Sequence, residues 1–272
     1  MEAIKTQDKE TAKFKNAYFR TMIKKFLTAM GEYFLLIGKA MQRPQKRSVF
    51  WKLFMREIND LGINSFGLVV FTSIFVGAVV AIQMYNNFNA SSFPIPTSFV
   101  GYATKAVLVL EFSPTIISLI LAGKVGSYIA SSIGTMRVSE QIDALDIMGV
   151  NSANFLILPK IFACVIFNPL LIAISIVVGI GGGFVAGELT GNWTTAEFTT
   201  GVQMYMPNLF IYYAFAKTIV FAFIIATVPA YFGYNVNGGS LEVGRASTQA
   251  VVWTMVFIIL SELILTQMIL SK

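Results

Sequence analysis

Five stretches of mostly apolar residues, about 63–85, 98–122, 155–187, 208–232 and 248–270, most constrain what this chain can become. Each is long enough to cross the roughly 30 Å hydrocarbon core of a bilayer as a helix. In that medium every backbone polar group must be satisfied within the segment, so the expected fold is all-α and membrane-integral. Composition agrees: 56% of the residues are hydrophobic and only 12% are charged, against about a quarter charged in soluble domains. The thirteen lysines and arginines from Lys5 to Arg56 all precede the first span. By the positive-inside rule this places the N-terminus in the cytoplasm. The basic region is too long, and no short apolar core follows it, for a cleavable signal peptide.

Residues 12–42 alternate with helical period. Phe14, Tyr18, Met22 and Phe26 share one face, which Phe19, Ile23, Met30, Phe34, Ile37 and Met41 widen, while Lys13, Arg20 and Lys24 lie opposite. Such a helix suits the headgroup layer, or the surface of a neighbouring subunit. After Arg43-Pro44, a second amphipathic piece from Val49 to Leu61 leads into the bilayer. The chain therefore divides into a basic amphipathic interfacial region, 1–61, and a transmembrane domain, 62–272. Asn86 to Thr97 and Glu188 to Pro207 read as outside loops, the second with Trp193 as an interface anchor. Gly233 to Ser247 reads as a cytoplasmic loop.

Catalytic and metal-binding chemistry finds little purchase. The chain has no histidine, a single cysteine, Cys164, and no GxxxxGK[ST] loop. Work driven by ATP would need the nucleotide and its magnesium on another chain. The +6 net charge lies too far to one end to indicate nucleic acid.

Charges inside the apolar segments are the candidate site, because an unpaired one costs several kcal/mol there. Lys217 and Glu262 both lie roughly 12–13 Å from the outer ends of consecutive antiparallel spans, at about 1.5 Å per residue. They can meet, either as a structural ion pair or in the wall of a polar cavity. Glu111 lies deeper, with no obvious partner at its level, and is expected near a water-accessible cavity. Pro114, three residues on, leaves the carbonyl of Leu110 without its helical donor and should kink the segment. Lys105 is expected to snorkel to the outer headgroups. Gly179, Gly183 and Gly187 form a doubled GxxxG stripe suited to helix packing, within the subunit or across a dimer.

Between the second and third spans runs KVGSYIASSIGTMRVSEQIDALDIMGV, Lys124 to Val150. Its charge and its Gly149 stop signal predict a helix in water. Ser139 is a candidate N-cap. Glu140, Asp143 and Asp146 form an acidic ridge, and Ile142, Leu145 and Met148 or Ile147 an apolar one. A solvated helix packed on the bilayer and a docking helix fit this pattern equally.

The pattern GxxGxxIxxxxGTMRVxEQIDALxxMGV resembles the signature of the MlaE/YrbE permeases, membrane subunits of ABC transporters that move lipids between bacterial membranes. Glu111-Phe112-Ser113-Pro114, Leu158-Pro159-Lys160 and Gly244-Arg245-Ala246-Ser247-Thr248 fall in the family's order. The resemblance implies a homodimeric, multi-pass permease of the bacterial inner membrane, with phospholipid held between the two copies. Glu111, Leu110, Pro114, Lys217 and Glu262 would line the substrate site. Glu140, Gln141, Asp143, Leu145, Asp146 and Met148 would couple to a cytoplasmic ATPase, and an MCE-domain protein would sit on the outer face. Leu110 and Lys124 stand where the family commonly has arginine, and Ser131-Ser132-Ile133 where relatives often have an acid. An ion-coupled carrier using Glu111, Lys217 and Glu262, and a non-transporting scaffold, are the competing readings.

Overall fold

The computed structural model describes residue 24 and residues 27–44, 46–92 and 94–270, of which 269 and 270 are described by backbone only. Among these residues every regular element is helical, and five helices are long and apolar enough to cross a membrane. In chain order the elements are α1 (27–40), α2 (Arg47–Asn89), α3 (Ser98–Val138), α4 (Gln141–Ile147), α5 (Ser152–Thr190), α6 (Thr195–Gln203), α7 (Asn208–Tyr234) and α8 (Ser240–Leu270). Residues 12–23, 25 and 26 of the expected amphipathic stretch 12–42 lie outside the described residues. The part described, α1, buries Leu36, Ile37 and Ala40 while exposing Leu27, Phe34 and Leu35.

Several boundaries differ from those read in the sequence. The piece from Val49 to Leu61 and the first span are one helix, joined by a π-helical turn at Ile58–Ile63. The second span does not end at Ala122 but runs on to Val138, through further π turns at Leu108–Phe112 and Ala122–Gly126. Half of the stretch taken for a solvated helix is therefore part of a span. The reason is packing: Ile129, Ala130, Ile133 and Gly134 make a fully buried face, and Gly233 of α7 lets Ala130 approach to backbone contact. Polar side chains on the other face masked that seam. Likewise α8 starts at Ser240 rather than Thr248, with Val243 packed on Gly134.

The outside segment 188–207 is also more ordered than a loop. Thr194 and Glu197 form a reciprocal capping box that starts α6. Gly101 and Gly201 bring α3 and α6 so close that a Cβ on either would overlap the other helix's backbone. Thr97 donates to Glu197 at 2.5 Å. Lys105, expected to reach outward to headgroups, instead donates to the carbonyls of Val202 (2.8 Å) and Met204 (2.6 Å). It caps the end of α6, where orphan carbonyls and the helix dipole both favour a cation. Trp193 is no exposed anchor: at 5% exposure it lies in a small outer core with Ala81, Val100, Ala186 and Phe198.

The glycine stripe on α5 packs within the subunit. A Cβ on Gly77 of α2 would fall on the backbone of Gly179, Gly183 takes the ring of Phe198, and Gly187 takes the indole of Trp193. Small residues at such a crossing let two helix backbones touch.

At the other end of α5, Asn151 and Asn154 grip the end of α1. Asn151 donates to the Lys39 carbonyl and to the Gln42 amide oxygen, both at 3.1 Å, and Asn154 donates to the carbonyls of Ala40 and Gln42. Asn151 Oδ1 meanwhile accepts from the Asn154 backbone and caps α5. Lys160, almost fully buried, pairs with Glu57 of α2 at 2.6 Å.

Two outcomes are expected. Gly77→Ala should destabilise the detergent-solubilised protein by about 1–3 kcal/mol through overpacking, whereas Gly181→Ala, with open space around it, should not move the thermal midpoint. The Thr97 hydroxyl, and then the Thr194 backbone and hydroxyl, hold the Glu197 carboxyl below its ordinary range. A depressed folded-state value means that this contribution is present above the usual carboxylate range and lost as pH falls through it. Thr97→Val should therefore raise the Glu197 titration midpoint, read by NMR of ¹³C-labelled glutamate.

Candidate functional site: a buried lysine between two glutamates

Lys217 stands in the middle of α7, and its side chain has no exposed surface. Three acceptors surround the ammonium. Glu111 of α3 accepts at 3.0 Å, Glu262 of α8 accepts as well, and the Leu110 carbonyl accepts at 2.9 Å. The ring of Tyr213, one turn away, lies 4.3 Å from the ammonium by its centroid, and the Tyr213 hydroxyl bonds Thr266 of α8 at 2.7 Å. Three helices are thus tied at one atom.

The local sequence explains why. Pro114 has no N–H for the Leu110 carbonyl, and the π turn over Leu108–Phe112 absorbs the distortion just before it. Lys217 replaces the missing donor. The expected meeting of Lys217 and Glu262 is present, and the expected proline defect is present. The expectation that Glu111 lacks a partner is corrected: Glu111 shares Lys217 with Glu262. Counting residues from the span ends compares backbone levels only, and the long side chains of Lys217 and Glu111 bridge that offset to meet at 3.0 Å.

Charge in the cluster does not balance. One ammonium faces two carboxyl groups, and Glu262 Oε2 is buried without a hydrogen-bond donor. Glu111 keeps 42% of its side chain exposed and Glu262 only 16%. The open side of the cluster is therefore the Glu111 side. The helix that supplies Glu262, α8, also exposes Val256, Ile259, Leu260, Leu263 and Ile264. Only 11% of the apolar stretch of α8 is buried, against 33% to 44% in the other four spans. The charged cluster is thus built in part from the least covered helix of the five. Behind it, Ser73, Ser175 and Ser113 bond in series at 2.8 and 3.3 Å and hold α2, α5 and α3 together. Nothing in the spacing of these serines marks them, since each sits alone in a different span.

The second candidate region, α4, is seven residues long. Its start differs from expectation: Ser139 does not cap it but bonds back to the Thr135 carbonyl at 2.7 Å. Glu140 takes the turn instead, with φ at 58°, a left-handed conformation that costs a side-chain-bearing residue roughly 1–2 kcal/mol. The end is as expected. Gly149 has φ at 74°, and the Val150-to-Leu145 and Gly149-to-Asp146 bonds close a Schellman motif. Ile142 is fully buried and Leu145 is half-buried against the core, so these two seat the helix. Ile147 and Met148 are the free apolar side chains, at 86% and 68% exposure. The acidic ridge is partly engaged: Asp143 pairs with Arg137 at 2.6 Å, and Asp146 accepts from the Ser152 backbone. Glu140 and Gln141 are exposed.

A family model described as Permease MlaE matches residues 54–268. The chain belongs to the MlaE permease family. This MlaE-family protein is 34% identical over 247 residues to a probable ABC transporter permease protein of Rickettsia typhi, covering 90% of this chain and 93% of the relative. It is 28% identical over 243 residues to the intermembrane phospholipid transport system permease protein MlaE of Haemophilus influenzae, covering 89% and 92%. A chloroplast protein of Arabidopsis thaliana, TRIGALACTOSYLDIACYLGLYCEROL 1, is 27% identical over 232 residues, covering 85% of this chain and 65% of that one. This permease is a multi-pass membrane protein of the ABC-transporter permease class, and both the charged cluster and α4 lie inside the matched residues.

The shared lysine sets an ordered expectation. Lys217→Met leaves the largely buried Glu262 carboxyl, and the half-exposed Glu111 beside it, without their cation, and should cost up to roughly 3–5 kcal/mol. Adding Glu262→Gln to it should recover part of that loss. A thermal unfolding series in detergent measures both, and a double variant less stable than Lys217→Met would refute the shared-charge description.

Proposed function

We propose that this permease moves phospholipid between bacterial membranes, with ATP and magnesium bound by a separate cytoplasmic ATPase and no catalysis on this chain. The observation that carries the reading is the Glu111–Lys217–Glu262 cluster, open at Glu111, in a protein whose α8 leaves its apolar side chains bare. Phospholipid needs both surfaces: charged groups at mid-membrane for a headgroup and an apolar wall for its chains. The Haemophilus relative's name points to the same cargo. A second copy of the chain placed against α8 would enclose the cluster, which makes a homodimer the working unit. Leu110 contributes its carbonyl to Lys217 and Pro114 sets that carbonyl free, so both act through the lysine.

Coupling is assigned to α4. The ATPase would grip Ile147 and Met148, with Glu140 and Gln141 beside them, while Asp143, Asp146 and Leu145 hold the helix in place. Val150 and Asn151 carry a displacement of α4 into α5 without a flexible link. This end faces the cytoplasm, with the basic N-terminal region, in the inner membrane. An MCE-domain protein would receive or deliver lipid at the outer face.

Ile147→Asp and Met148→Asp should abolish co-purification with the ATPase while membrane insertion and thermal midpoint stay unchanged. Retained binding in both would overturn the docking assignment. Lipid transfer in proteoliposomes should stop on nucleotide depletion. Transfer that persists and follows pH would instead favour an ion-coupled carrier.

A further inference from the structure

The elbow between α1 and α2 holds a groove of about 160 Å³ that the transport site does not use. Its floor is Val49, Phe50 and Leu53 on one face of α2, opposed by Phe155 and Pro159 on the first turns of α5, with Lys46 at its mouth. Asn151 and Asn154 also border it, but their amide N–H groups are committed to α1 and its end. The wall therefore has no side-chain amide donor left for a peptide backbone. Between Lys39 and Lys52 the chain has five cations (Lys39, Arg43, Lys46, Arg47 and Lys52) and no acidic residue. Trp51, half-exposed on α2, is of the residue type that settles at headgroup depth.

An occupant must offer an apolar segment of a few methylenes to the floor and an anion to the mouth. We infer that this elbow binds an anionic phospholipid, one acyl chain entering between α2 and α5 and the phosphate meeting Lys46 and its basic neighbours. The lipid would stay bound, bracing the elbow, rather than being cargo. The inference needs only a membrane around the protein, so it holds or fails apart from the transport reading.

The test uses the full chain in nanodiscs containing phosphatidylglycerol or phosphatidylcholine with a diazirine in the acyl chain, followed by illumination and peptide mapping. Peptides containing 49–53 and 155–159 should be labelled about fivefold more from phosphatidylglycerol, the preference that one basic side chain near an anionic surface confers. Lys46→Glu, an exposed substitution that leaves the core intact, should remove the preference. Leu53→Trp, which fills the groove, should remove labelling at 155–159. Equal labelling from the two lipids overturns the inference, as does wild-type labelling in Leu53→Trp. Protection of these peptides by the purified ATPase in lipid-free detergent would assign the groove to a protein segment and overturn it too.

Discussion

An ammonium with no exposed surface, held among apolar helices, dictates much of this architecture. Lys217 can stay charged only if anions and carbonyls are brought to it, and these come from α3 and α8, which it thereby fixes to α7. The proline-linked defect at Leu110 is complementary: a carbonyl without a donor meets a donor that needs acceptors. The arrangement is satisfied on the lysine's side and over-supplied with acid on the other. That asymmetry leaves Glu111 both anchored and open, the combination a polar lipid headgroup would need.

The same device recurs at lower stakes. Lys124, inside the second π turn of α3, donates to the carbonyl of Asn64, the first residue after the π turn of α2. Lys105 closes the end of α6, and Lys160 fixes Glu57. Lys217, Lys105 and Lys124 thus each end on backbone carbonyls at a π turn or a helix end, where acceptors are left without an intrahelical donor. Bulged helices and buried lysines are parts of one solution.

Around α4 the chain is stiff on both sides. A left-handed Glu140 and a Schellman turn at Gly149 bracket seven helical residues. Asn151 then caps α5 and holds the end of α1. Movement applied at Ile147 and Met148 would pass to α5 and α1 together. Their exposure is legible only in three dimensions, because Ile142 and Leu145, equally apolar and on the same short helix, point inward.

The sequence by itself determined the class and most of the site. Hydropathy dictates the spans, since uninterrupted apolar runs of this length satisfy their own backbone in lipid as helices, and Pro114 dictates an orphan carbonyl at Leu110 because proline has no N–H. The GTMRV and EQIDAL segments identified the family. Tertiary structure decided what depended on partners distant in the chain. It joined Glu111 to Lys217, because residue counting compares backbone levels and not the reach of two long side chains. It buried Trp193, and it carried α3 on to Val138, because small residues on α3, α5 and α7 permit contacts whose polar opposite faces disguise them. It also left α8 bare, an uncovered apolar face that a second chain can complete.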